Sequence, residues 1–543
     1  MLKYDQLTNF ETGQQEYVSV ADVACQIGVS IATIKNWVRE KYLISENGNI
    51  NQNLLHDFIA SNIGVKKLNS RANKIYKNSH NHVELTDKIL QKTKIYEKSA
   101  ANISIEYEKS LSESYKNKEG IFYTPESIVE NMLDGVDDTQ SKTFLDPCCG
   151  SGNFIIGAIK KGFSVENVYG FDTDKNAVAI TKKRIFDLTG KNSENIIEAD
   201  FLETANKLNK KFDCIFTNPP WGKKLQKEIK QRYSLIYKTG KSIDTSSLFF
   251  GASLLLLKED GKIGFLLSEA FFNILAFQDI RKKLLKYNIE RFVDYGKPFD
   301  KLITKAKAVI LSNKKDEKNI VCENGEERHI RTKSSFFSVP NNIFNFNVKN
   351  NDMTVINYVF ETEHVTLKNN AQWGLGIVTG NNEIFCTREQ KENYIPVFRG
   401  QDITKNGLLK PMNFISNDFS LYRQVAPIEL YKAKEKLIYR FISSDLCFCL
   451  DNKQNFILNS ANFLIPHNNF PISVKQLCDY LNSDLINWLF KSIFNTHKIL
   501  RGDLEKIPIH YKFFEKNAVF CEKKYLDFLR IERINDGNYR KYY

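Results

Sequence analysis

The 543-residue chain has no run of about 18 apolar residues, so no segment reads as a membrane-spanning helix. Its opening stretch, MLKYDQLTNFETGQQEY, lacks the apolar core of a secretory signal, and the expectation is a cytoplasmic protein. The ten cysteines are scattered, with Cys148-Cys149 the only tight pair. That adjacency does not fit the two-residue spacing of a zinc knuckle, so free thiols in a reducing compartment are expected, and no metal site. Acidic residues are the minority, 64 against 77 Lys and Arg, giving a net charge of +13. Such an excess favours a polyanionic partner such as nucleic acid, although charge alone speaks for attraction rather than specific function. Proline is sparse, 12 in all, yet two stand side by side at 219–220, a point that matters below. What is abundant is apolar residue: 42% of the chain, enough for packed cores in two to four domains.

Residues 18–43, VSVADVACQIGVSIATIKNWVREKYL, carry two short amphipathic helical patterns around the turn GVS. Ser19 and Ser30 are placed to cap them, and Ala24, Ile27, Ile34 and Trp37 to share a small core. The segment resembles the winged or excisionase-like helix-turn-helix family. That resemblance puts Thr33, Lys35, Asn36 and Arg39 on or near the face offered to a DNA groove; an ordinary helical hairpin used for packing is the alternative. Residues 65–118, rich in Lys, Asn, Ser and Glu, read as a polar helical linker.

From 119 to 314, short apolar strands alternate with helical stretches, which implies a doubly wound α/β sheet with ligands at the carboxyl ends of its strands. Strands are predicted at 143–146, 168–172, 195–199, 212–217, 261–267, 290–294 and 307–311. The first runs into FLDPCCGSGNF, where Gly150 and Gly152 let backbone approach a ligand and Asp146 closes the strand. This is neither the dinucleotide G-x-G-x-x-G nor a phosphate loop, whose lysine is missing. Asp172 ends the next strand, about 20 residues on, where an acid can accept from ribose hydroxyls. Asp200 and Phe201 follow the third strand, and Asn218-Pro219-Pro220-Trp221 the fourth.

In this order the motifs resemble the S-adenosylmethionine-dependent methyltransferases, and among them the gamma-class, TaqI-like enzymes acting on N6 of adenine in DNA. The resemblance implies a Rossmann-like catalytic domain. Tyr123, Thr124 and Pro125 would border the methionine moiety, and Asp146, Pro147, Gly150 and Gly152 would hold that end. Asp172 would take the ribose, and Asp200 and Phe201 the adenine of the cofactor. Phe299 matches a second aromatic contacting the target base.

The turn NPPW explains the paired prolines. An exocyclic amine of adenine is a poor nucleophile because its lone pair is delocalised. The Asn218 side-chain oxygen and the Pro219 carbonyl can accept its two N–H bonds and stabilise the charge that develops, and the prolines stiffen the turn. Trp221 can stack on an extruded base. Similar turns serve enzymes acting on ribosomal RNA and on protein glutamine, and cytosine-N4 enzymes more often begin the turn with Ser.

Residues 315–543 read as a separate α+β target recognition domain. The segments 373–385, 395–403, 436–466, 477–491 and 501–509 resemble the specificity half of TaqI-like restriction–modification enzymes. Arg399 and Arg440 there are candidates for phosphate or guanine contacts, or for structural salt bridges. The expectation is therefore a helix-turn-helix domain at 1–64, a linker at 65–118, a methyltransferase domain at 119–314 and a recognition domain at 315–543. Its partners would be S-adenosylmethionine, double-stranded DNA and a cognate restriction endonuclease on a separate chain. The alternatives are an amino methyltransferase acting on RNA or protein glutamine, and a DNA-binding regulator with an inactive methyltransferase fold.

Overall fold

A computed structural model describes parts of 17–55, Tyr107, and residues 123–542 except 224, 300–303, 315–316, 326, 495, 497 and 535–536. The chain divides into two units, residues 1–98 and 99–543. In the first, β1 (Tyr17–Ser19) leads into α1 (Val20–Ile27) and α2 (Ile31–Arg39), followed by β2 (Ser45–Glu46) and β3 (Asn49–Asn51). The strands form a small sheet in the order β1-β3-β2. Val23, Ala24, Ile34, Trp37 and Ile50 bury against one another. The predicted cap is present: Ser19 Oγ accepts the amide N–H of Asp22 at 3.2 Å. Lys35 is exposed on α2, which also carries Thr33, Asn36 and Arg39. The side chains of those last three, and of Ile27, lie outside the described residues, as do Ser30 and all of 65–118 except Tyr107.

The second unit is built on a nine-stranded sheet. Its strands are β4 (Phe144–Asp146), β5 (Val168–Asp172), β6 (Ile196–Glu198), β7 (Phe212–Thr217), β8 (Leu257–Ser268), β9 (Asn288–Asp294), β10 (Ala306–Ser312), β11 (Asn319–Asn324) and β12 (Glu327–Thr332). The order is β12-β11-β9-β10-β8-β7-β4-β5-β6. Strands β4 to β8 run parallel; β10 is antiparallel to both β8 and β9. Both faces are buried, as parallel strands covered by helices require. Phe144, Cys214, Phe216, Leu266, Ala308 and Ile310 point into one cluster, and Leu145, Ile215, Phe265, Leu267, Val309 and Leu311 into the other. The sheet continues past residue 314, because β11 pairs with β9 and its alternate residues Ile320 and Cys322 are fully buried.

The chain enters the sheet at β4, two strands from one edge, walks outward to that edge through β5 and β6, and then returns to the other side of β4 as β7. Neighbouring connections therefore diverge between β4 and β7, and a crevice opens at their carboxyl ends.

Beyond 340, a four-stranded antiparallel sheet takes Ala371–Leu375, Lys436–Arg440, Phe448–Asp451 and Ala461–Pro466. The helices Val474–Leu481, Asp484–Phe494 and Glu522–Leu529 pack with it into one apolar cluster. A separate cluster holds the three-stranded sheet of Tyr394–Phe398, Asn413–Ser416 and Phe456–Ile457.

Candidate active site

A pocket of about 1170 Å³, counted to its open mouth, lies at this crevice. Ten of the residues singled out in the sequence line it: Tyr123, Thr124, Asp146, Pro147, Gly150, Asp172, Asp200, Phe201, Asn218 and Pro220. Gly152 stands behind the wall. With φ of +90° it caps the helix Asn153–Lys160, and a Cβ there would meet Thr181 at 2.8 Å, so only glycine fits the turn. Gly150, at φ +52°, has open space where a Cβ would project, which leaves its backbone bare to the pocket. Pro125 precedes the helix Glu126–Met132, and Pro219, Trp221 and Phe299 are also absent from the lining.

The acids differ in setting. Asp146 is 2% exposed; its Oδ1 accepts from Thr217 Oγ1 at 2.6 Å and from the Cys148 amide at 3.2 Å. Burial dominates these bonds and pushes its carboxyl up to about 7. Asp172, also raised by burial, gives one oxygen to the Gly150 amide at 2.8 Å and the other to the Asp174 amide at 2.9 Å. Each oxygen keeps a second lone pair for a ligand hydroxyl. Asp200 is exposed and caps the short helix Phe201–Thr204 through Leu202 N–H at 2.8 Å. Phe201 is buried against Phe249 with ring centroids 5.7 Å apart. One buried and one half-buried carboxyl, a third at the rim and an aromatic wall suit a cationic nucleoside cofactor.

At the turn Asn218-Pro219-Pro220-Trp221, Asn218 Nδ2 donates to Thr124 Oγ1 at 3.2 Å. This contact holds the Asn218 amide against the segment that precedes the helix Glu126–Met132. Trp221 is half-buried against the cluster that includes Tyr295, and its indole N–H donates to the Leu266 carbonyl at 3.3 Å. Its ring meets Phe299 edge-on, with centroids 5.5 Å apart and planes at 76°. The anchor to β8 gives the tryptophan a role that neither Tyr nor Phe can fill with a ring N–H.

Sequence reasoning missed Tyr107, Cys148, Asp174, Lys223, Thr245 and Phe249 in the pocket wall. Cys148 and Lys223 lie inside or just after quoted motifs, so proximity in sequence was a usable signal. Tyr107 had none: it comes from the predicted linker, and its hydroxyl donates to the Asp174 carboxylate. Among the described residues no group of His, Cys, Asp and Glu is arranged to hold a metal ion.

In the recognition region, Arg440 Nε and Nη2 both donate to the Ile403 carbonyl, at 3.0 and 2.7 Å. Arg399 is half-buried, its amide donating to Asp402 Oδ2 at 2.7 Å. Neither arginine ion-pairs in the described structure.

Residues 103–375 match the family model for N-6 DNA methylases, and residues 395–509 that for the TaqI-like C-terminal specificity domain. The chain belongs to the N-6 DNA methylase family. The Type II methyltransferase M.VspI of Vibrio sp. (strain 343) is 42% identical over 404 residues, 73% of this chain and 98% of that protein. The modification methylase CviBIII of Paramecium bursaria Chlorella virus NC1A is 26% identical over 198 residues, 35% of this chain and 48% of that protein. Among solved structures, one described as the DrdV–DNA complex aligns over 92% of this chain and 68% of its own, at 13% identity and a TM-score of 0.51. As an N-6 DNA methylase the chain is an adenine-specific DNA methyltransferase. No helix among the described residues is long and apolar enough to cross a membrane.

Proposed function

We propose that the chain methylates N6 of an adenine extruded from duplex DNA, with S-adenosylmethionine as donor, as the modification component of a bacterial restriction–modification system. The observation that carries this reading is the placement of Asp146, Asp172 and Asn218 at three strand ends around one pocket, with the Asn218 amide held against Thr124. When bound, the sulfonium cofactor supplies an electrophilic methyl group. Asp146 and the backbone of the glycine turn receive its methionine end, Asp172 its ribose, and Asp200 with Phe201 its adenine ring. The Asn218 oxygen and Pro219 carbonyl accept the two N–H bonds of the target amine. They draw it toward tetrahedral geometry and stabilise the positive charge as it forms, a preorganised electrostatic effect. Trp221 supports the extruded base, and Phe299, edge-on to it, is the second aromatic against that base. A cognate endonuclease on a separate chain would act at the same DNA sequence.

The test is base-modification sequencing of host DNA after expression of the wild-type protein and of Asn218→Ala. A single N6-methyladenine motif in the wild type that vanishes in the variant is the expected result. Unmodified DNA, with methyl transfer to RNA or protein instead, overturns the reading.

A further inference from the structure

The ladder between β4 and β7 ends at Leu145 opposite Ile215. Past that point the two strand ends are joined by side chains. Thr217, the last residue of β7, is fully buried. Its hydroxyl donates to Asp146 Oδ1 at 2.6 Å. Cys148 Sγ lies 2.9 Å from the same hydroxyl oxygen and 3.4 Å from the Asn218 carbonyl. A hydroxyl has one proton and two acceptor positions. The Thr217 proton is spent on the carboxylate, so the thiol proton serves Thr217 Oγ1 or the Asn218 carbonyl. The Thr217 hydroxyl thus ties Asp146 directly to the residue that precedes Asn218, and Cys148 packs its thiol against both.

We propose that Thr217 is a positioning residue which, with Cys148, couples the Asp146 carboxylate to the catalytic turn, so that cofactor binding and alignment of Asn218 depend on one another. The proposal rests on the reading in which Asp146 receives the cationic end of the cofactor. A carboxylate gains from the Thr217 donor chiefly in its charged form. Removing the donor makes ionisation harder, and the cofactor then binds only at higher pH. The other groups facing Asp146 are Cys148, whose amide bond favours the charged form, and Asp172, whose charge opposes it. Lys223 faces Cys148 and Asp172 and favours their charged forms.

The test uses the full chain and S-adenosylmethionine, with calorimetric affinity measured from pH 5.5 to 9 and kcat at saturating cofactor and DNA. Thr217→Val keeps the shape and loses the donor. It is expected to move the pH midpoint of binding up by about one unit, roughly a fivefold loss of affinity at pH 7. It should also lower kcat, and Thr217→Ser should restore both. A purely packing role lowers thermal stability without moving the midpoint, so an unmoved midpoint in Thr217→Val overturns the proposal. An unchanged kcat beside a moved midpoint removes the coupling and overturns it too. Asp146→Asn separates the two levels. If that variant binds cofactor like the wild type at every pH, the reading of Asp146 itself fails. If it loses binding while Thr217→Val is silent, the coupling alone falls.

Discussion

Asp146 is held in a state that costs stability in the absence of a cationic ligand. Its carboxyl sits near 3.8 in water and at about 7 in the fold, raised first by burial. The folded protein therefore keeps this proton where the unfolded chain has lost it. The resulting stability is complete below about 3.8 and is lost as pH rises through 7. The gap corresponds to at most on the order of 4 kcal/mol. Both hydrogen bonds to the side chain fall on Oδ1, so an asparagine oxygen can accept them unchanged. Asp146→Asn should thus melt higher than the wild type at pH 8 and level with it near pH 4, while binding cofactor poorly. Thermal scans of the ligand-free proteins across that range check the first half, and calorimetry the second. A wild-type melting curve that tracks the variant at every pH contradicts the argument.

Elements were legible where a single strand carries its own signal. FDCIFT reads as a buried strand because four of its six residues are apolar, three of them in a row, and it is one, Phe212–Thr217. The same holds for β4, β5 and β10, and the strand ends that carry Asp146, Asp172 and Asn218 followed from them. Pairing between distant segments was not legible. Lys436 and Asp451 stand opposite each other on adjacent strands, 0% and 1% exposed, in a chain where such residues normally mean solvent. The lysine also donates to the Tyr431 carbonyl, and the carboxylate takes the Asn455 amide at 2.9 Å and its side chain at 2.7 Å, which shapes the following turn. Removing one partner strands a buried charge. Lys436→Ala should therefore destabilise this sheet by about 3–5 kcal/mol. Lys436→Met with Asp451→Leu should cost clearly less, because neither charge then remains unpaired. Urea unfolding followed by the fluorescence of Trp373, on the strand Ala371–Leu375 of the same sheet, reads both.

At the scale of the molecule, both family matches fall within the second unit. The family models begin at residue 103, and 73% of the chain accounts for 98% of its Vibrio relative. The first unit, by contrast, closes its own core around Ile34 and Trp37 and pairs its strands only among themselves in the described residues. A module with a separate core can be lost without opening the catalytic fold. A cut after residue 98 also spares Tyr107, whose hydroxyl bond to Asp174 belongs to the pocket wall. The chain lacking residues 1–98 should therefore methylate the same adenine motif as the full protein. If Lys35, exposed on α2, contacts phosphate as we propose, the shortened chain should bind DNA more weakly, with a shallower dependence of affinity on salt. Lys35→Ala in the full chain should reproduce part of that salt effect. Affinity titrations at several salt concentrations, beside motif sequencing, measure both. Equal affinity and equal salt slope in the two proteins would remove DNA contact from the first unit, and a changed motif would move sequence recognition into it.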